Sequence, residues 1–125
     1  MIIYIAGKYH APTDGERLRN TNHAIDVGIK VYKMGHYPLI PHLTHWIEKR
    51  MDYNGEPPRE NNYWYDFDNL IIPKCDALLK ISRDGESKGA DAEEKLAKRL
   101  GMPIFHSLKE IPDQSKRIKM ITTEL

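Results

Sequence analysis

The stretch SKGADAEEKLAKRLG, Ser87 to Gly101, puts a carboxylate where a helix would ordinarily bury hydrocarbon. At about 100° per residue, Gly89, Ala90, Ala92, Leu96, Ala97 and Leu100 gather on one arc, the arc expected to face the core. Asp91, Glu94, Lys95, Lys98 and Arg99 fill the other, with Asp91 before Lys95 and Glu94 before Lys98 in the favourable acid-to-base order. Glu93 falls inside the apolar arc, between Gly89 and Ala97, with no cation one turn further on. A buried carboxylate needs a partner, a neutral form or a cleft. Two readings follow: a partly exposed glutamate at the rim, or a carboxylate aimed into a pocket of small residues.

Other residues offer weaker chemistry. Gly7 and Lys8 follow an apolar run, where a glycine admits a ligand to the backbone and a lysine could meet an anion. GKYHAPTDG has neither the P-loop nor the dinucleotide-binding order, so a plain tight turn is equally good. Ser87 and Gly89 stand at a helix start, where backbone N–H groups favour anions, and where capping is the default task of a serine. His42 and His45, with His36 and Cys75 apart from them, fall short of a zinc set, and no metal is expected. Asp66 and Asp68 sit late in a helical run; two residues apart, at most one of them faces a given pocket. A solvent-facing aspartate is the default for both.

The elements that must position these groups alternate. Ile2 to Ala6 reads as a buried strand ending at Gly7. Apolar residues at helical spacing (Leu18, Ala24, Ile25, Gly28, Val31, Tyr32) predict a helix from about Glu16 to Met34, stopped at Gly35. Tyr37 to Ile40 predicts a second strand, kept short or at an edge by Pro38. HLTHWIEKRM reads as a brief helix, DYNGEPPRENN as a loop, and Trp64, Phe67, Leu70 and Ile71 as a further helical face. Asp76 to Ser82 is the third strand, MPIFHS the fourth, and a C-terminal helix starts at about Ser115. This order predicts one α/β domain over residues 1–125: a three-layer, Rossmann-like (flavodoxin-like) fold on a mainly parallel sheet of four to five strands. Ligands of such sheets bind beyond the carboxyl ends of the strands. The Gly7–Gly15 loop, the segment after Ile40 and the Arg83–Gly89 loop should therefore meet, and Glu93 should point back toward them.

Nineteen basic against eighteen acidic residues give a formal charge of +1, without the basic excess of a duplex-binding protein. The SKRIKM run reads as a solvated face. A single cysteine excludes an internal disulfide and suits a reducing cytoplasm. No apolar run reaches the roughly 20 residues of a membrane span, and MIIYIAG lacks the features of a signal peptide.

Four features, in order, resemble the nucleoside 2-deoxyribosyltransferase superfamily, which includes the 2'-deoxynucleoside 5'-monophosphate N-glycosidases. These are YIAG at Tyr4–Gly7, Asp68 eight residues before the strand-opening Asp76, G-x-x-x-E at Gly89–Glu93, and A-x-x-L-G-x-P at Ala97–Pro103. The resemblance covers residues 1 to about 107. It implies that Glu93 is a nucleophile forming a glycosyl-enzyme ester, as in retaining glycosidases. Asp68 would handle the proton at the departing base and Tyr4 would steady the nucleophile, with no cofactor. It also implies a homodimer or larger assembly, with NNYWYDF and SKRIKMI near the interface, although core packing explains Trp64 equally well. Six residues before the nucleophile, the nucleoside transferases carry an aspartate and the monophosphate glycosidases a phosphate-contacting serine. Ser87 stands there, so a nucleotide substrate is expected, with Gly7, Gly89 and Lys8 beside it. Glu94, Lys95 and Ala92 depart from the family pattern. They leave room for a non-catalytic nucleotide-binding module or a glycohydrolase acting on a larger nucleotide such as NAD.

Overall fold

The structure is a computed structural model that describes residues 1–60 and 62–116. Its elements are β1 (Ile2–Ala6), α1 (Asp14–Lys33), β2 (Tyr37–Leu39), α2 (Thr44–Tyr53), α3 (Tyr63–Ile71), β3 (Ala77–Lys80), α4 (Lys88–Arg99) and β4 (Ile104–Phe105). The expected C-terminal helix and most of the SKRIKM run fall in residues 117–125, outside the described residues.

The four strands form one all-parallel sheet in the order β2-β1-β3-β4, so the fold is three-layer, α/β and Rossmann-like. Side-chain alternation along the strands divides the core in two. Ile3, Ile5, Ala77 and Leu79 pack with Ala24 and Val31 of α1 on one face. Tyr4, Ala6 and Leu78 pack with Ala90 and Ala97 of α4, and with Ile72 and Cys75, on the other. Pro38 lies on the edge strand β2, where a missing N–H costs no ladder bond on the open side. At the opposite end of the sheet, Asp76 accepts from the Ile2 N–H at 2.7 Å and donates its own N–H to the Ile2 carbonyl at 2.8 Å, fixing the register of the two central strands.

Local chemistry accounts for the boundaries that differ from expectation. α1 begins at Asp14 because the Thr13 hydroxyl accepts from the Glu16 N–H at 3.2 Å, a side-chain cap. Its buried stripe is Thr21, Ala24, Gly28 and Val31, while Tyr32, expected in the core, faces solvent. Gly28 admits the helix close to the sheet edge: a Cβ there would stand 2.5 Å from Ile40 Cδ1. α3 buries none of its residues, and Phe67 and Leu70 are exposed rather than core.

α4 also departs from its expected wheel. Ala92 and Leu100 are exposed, and Glu94 is buried beside Glu93. The acids assigned to surface pairs turn instead to Lys80, which lies on the α4 face because it shares the alternation of Leu78. The Lys80 side chain is 1% exposed, and its Nζ stands 2.5 Å from Asp84, 2.8 Å from Asp91 and 3.3 Å from Glu94. His106, just after β4, donates to the other Glu94 oxygen at 2.7 Å, and Lys98 is only at the 4.0 Å limit. Burial works against the Lys80 charge, but the three carboxylates outweigh it and hold the ammonium above its usual range. Removing one partner of a buried pair costs far more than replacing both. Lys80→Met is therefore expected to destabilise the protein by roughly 3–5 kcal/mol in urea unfolding. Adding Glu94→Leu should restore most of the loss; a double variant no better than the single one would show that the cluster does not act as a unit.

Candidate active site

The strand order reverses at β1, between β2 and β3, which is where ligands sit in sheets of this kind. The chain leaves β1 at Gly7, where a Cβ would stand 2.5 Å from Ile81 Cγ1, so only glycine lets the backbone turn this close to the exit of β3. His42 pins the turn: its Nε2–H is shared between the carbonyls of Gly7 at 3.2 Å and Lys8 at 3.1 Å. Burial pushes the pKa of this imidazole down despite those carbonyls, so the turn is held by a neutral ring.

Above the turn lies a cleft of about 100 Å³. Its floor carries Glu93, with Gly7, Ser87, Gly89 and Ala90 around it; its far wall carries Tyr9, His10, Glu48, Trp64 and Tyr65. Glu93 is 8% exposed, which settles the two readings of this residue in favour of the inward one. Tyr4, fully buried on the central strand, donates its hydroxyl to Glu93 Oε2. Asp68, one turn after Trp64 on α3, lines the same cleft, whereas Asp66 is exposed. Tyr4, Asp68 and Glu93 thus converge from β1, α3 and α4.

The electrostatics follow from burial. Desolvation lifts Glu93 to a pKa of about 8, with the Asp68 charge adding to the rise and the Tyr4 hydrogen bond opposing it. Desolvation also lifts Asp68, to about 6, again opposed by Tyr4. Burial and the two carboxylates push Tyr4 far upward, so it stays a phenol and a donor. At neutral pH the pair therefore holds one proton, with Glu93 the more strongly raised of the two carboxyls.

Ser87 caps α4, its Oγ accepting from the Ala90 N–H at 3.1 Å, and it still lines the cleft. Gly89 is closely faced: a Cβ there would stand 3.1 Å from the Tyr65 ring, which would have to shift slightly to admit it. Lys8 is exposed and absent from the lining, to which, among the described residues, neither lysine nor arginine contributes. Of the groups expected around a phosphate, only the helix N-terminus and its serine remain. His45 hydrogen-bonds Tyr9 at 2.8 Å, and among the described residues no cluster of His, Cys, Asp and Glu is arranged for a metal.

Sequence reasoning missed Tyr9, Glu48, Trp64 and Tyr65. A signal was present for Trp64, four residues before Asp68 and hence on the same helix face. Trp64 is neither core nor free surface: its indole N–H donates to Glu48 Oε1, and the pair forms the cleft wall.

A family model described as a domain of unknown function, DUF7768, matches residues 1–107, from β1 through β4. Searches of curated proteins and of solved structures return no match. Among the described residues no helix is long and apolar enough to cross a membrane.

The protonated carboxyl makes stability depend on pH with a definite sign. A carboxyl whose pKa is raised from 4.5 to about 8 on folding binds more protons folded than unfolded across that interval. Its contribution is complete below the lower value and is lost as pH climbs through the upper one. Glu93→Gln, always neutral, should melt several degrees above the wild type near ~pH 8.5 and close to it near ~pH 5, since each kcal/mol moves Tm by roughly 4–8 °C in a small domain. Parallel melting curves across that range would mean that Glu93 is not held neutral.

Proposed function

The chain belongs to the DUF7768 family, and from its site we propose that it cleaves the N-glycosidic bond of a nucleoside or nucleotide, as the nucleoside 2-deoxyribosyltransferase superfamily that it resembles does. The observation that carries this reading is Glu93 itself, buried at the floor of a cleft with a phenol donor on one side and a second carboxyl within electrostatic reach. Such a pair, with environments that push its pKa values apart, suits acid and nucleophile roles in one site.

In this reading the anomeric carbon sits over Glu93 and the base toward Asp68. Glu93, the more strongly raised of the two, holds the single proton of the resting pair, so attack requires that proton to pass to Asp68; the Tyr4 hydrogen bond opposes the rise at Glu93 and so eases its ionisation. Glu93 Oε attacks the anomeric carbon as the C–N bond breaks. The bonding pair leaves with the base nitrogen, which takes the proton from Asp68. Water or a second base then attacks the ester from the vacated side, Asp68 accepts its proton, and Glu93 is released as a carboxylate. Exclusion of bulk water around an 8%-exposed carboxylate preserves its reactivity.

Among the described residues three acids and no lysine or arginine line the cleft, which favours a free nucleoside over its 5'-monophosphate; Ser87 at the α4 N-terminus supports the phosphate. Phe67 and Leu70 leave an apolar strip on α3 that suits the self-association the resemblance implies.

The test is chromatographic detection of free base from a pool of 2'-deoxynucleosides and their monophosphates. Release is expected, abolished in Glu93→Ala and reduced by roughly 10²-fold or more in Asp68→Asn. The rate should fall below pH ~6, where the pair gains a second proton, and above pH ~8, where it loses its only one. In Tyr4→Phe the alkaline limb should move upward, because Glu93 loses the donor that lowers its pKa. Absence of release from every compound, or release unaltered in Glu93→Ala, would sink the proposal.

A further inference from the structure

The far wall of the cleft has a chemical character of its own. Trp64 and Tyr65 project from α3 and Tyr9 and His10 from the loop after β1, with the His10 and Tyr65 rings 5.9 Å apart and those of Tyr9 and His10 5.4 Å apart. These are flat surfaces suited to an aromatic ring. Thr44 and Glu48 are polar residues of the same lining. The Thr44 hydroxyl spends its proton on the Pro41 carbonyl at 3.0 Å, leaving lone pairs, and the Tyr9 hydroxyl is engaged with His45 at 2.8 Å.

Glu48 sets this character most strongly. Its Oε1 accepts the Trp64 indole N–H, which fixes the carboxylate against the aromatic wall. Among the described residues its second oxygen has no hydrogen-bond donor and no cation within ion-pair distance; the neighbouring Lys49 reaches Asp14 instead, at 3.0 Å. An oriented carboxylate with one free oxygen accepts an N–H and repels a carbonyl at the same place.

We propose that Glu48 is a specificity-determining residue that reads the base, selecting an amino-bearing ring of the adenine or cytosine kind over its oxo counterpart. The inference rests on the N-glycosidase reading for its orientation: with the sugar over Glu93, the leaving group passes Asp68 and lies along the α3 face toward Trp64, one helical turn away. A carboxylate accepting from an exocyclic amine is the pairing expected between glutamate and the cytosine amino group. Where an oxo group replaces the amine, acceptor faces acceptor and the half-buried Glu48 oxygen is left unpaired, which disfavours the oxo base.

The test is isothermal titration calorimetry of the intact protein with adenine against hypoxanthine and cytosine against uracil, run beside the base-release assay. Each amino base is expected to bind at least about tenfold more tightly than its oxo partner. Glu48→Gln keeps an oxygen for the Trp64 indole and replaces the free one by an N–H donor, so the preference should vanish or reverse while tryptophan fluorescence of the free protein stays unchanged. Equal or weaker binding of the amino bases, no binding of any base, or a preference undisturbed by Glu48→Gln would overturn the proposal. Amino-selective binding without base release would count against the N-glycosidase reading alone. Release with a preference for oxo bases would count against Glu48 alone.

Discussion

The hydrogen bond between Tyr4 and Glu93 is the contact around which the site is arranged. A carboxyl 8% exposed on a helix face cannot stay charged cheaply. Tyr4 reduces that cost from the one place a side chain can reach it, the middle of the central strand on the α4 face. The bond ties β1 to α4 across β3, so the position of the carboxyl is set by the sheet rather than by a loop. Everything else at the cleft floor follows: glycine at the β1 exit, where Ile81 leaves no room for a Cβ, and glycine at residue 89, where Tyr65 closes the wall.

Adjacent residues of α4 solve the same problem in opposite ways. Glu93 and Glu94 are both 8% exposed. Glu93 meets a phenol and a second acid, and its pKa rises into the neutral range. Glu94 meets His106 and Lys80, which outweigh its burial and hold it below the usual carboxylate range. A helix turns by about 100° per residue, enough to aim one carboxyl into the cleft and the next at the end of β3. The charged cluster around Lys80 gathers the β3 exit, the following loop and the first turns of α4 into one unit, and that unit carries Glu93. Within that unit Glu94 is neutralised by Lys80, while Lys95 remains exposed.

The two walls of the cleft differ in kind. Glu93 has Gly89 one turn before it at a helix N-terminus, whereas Glu48 is held by the Trp64 indole; both line the one cleft. Ser87 caps its helix and Lys8 stays outside, so the charge balance of the cleft is acidic.

By itself the sequence determined the order of the elements and the parallel sheet, and it marked Glu93 as the carboxylate whose direction mattered. Alternation of apolar runs with helical spacing allows few topologies, and Glu93 is conspicuous on its wheel because no neighbour within a turn could neutralise it. Pro38 likewise announced an edge strand. The tertiary structure alone decided the rest, because it depends on residues far apart in the chain. Tyr4 and Glu93 are 89 residues apart and Trp64 and Glu48 are 16 apart, and no local period encodes either meeting. Lys80, in a strand too short to show alternation clearly, drew Asp91 and Glu94 from the surface pairs that helix spacing alone had favoured. Helix periodicity also counted Phe67, Leu70 and Leu100 as core, although α3 and the end of α4 leave them exposed. A hydrophobic stripe records which face could be buried; which part of it is covered depends on where the neighbouring elements end.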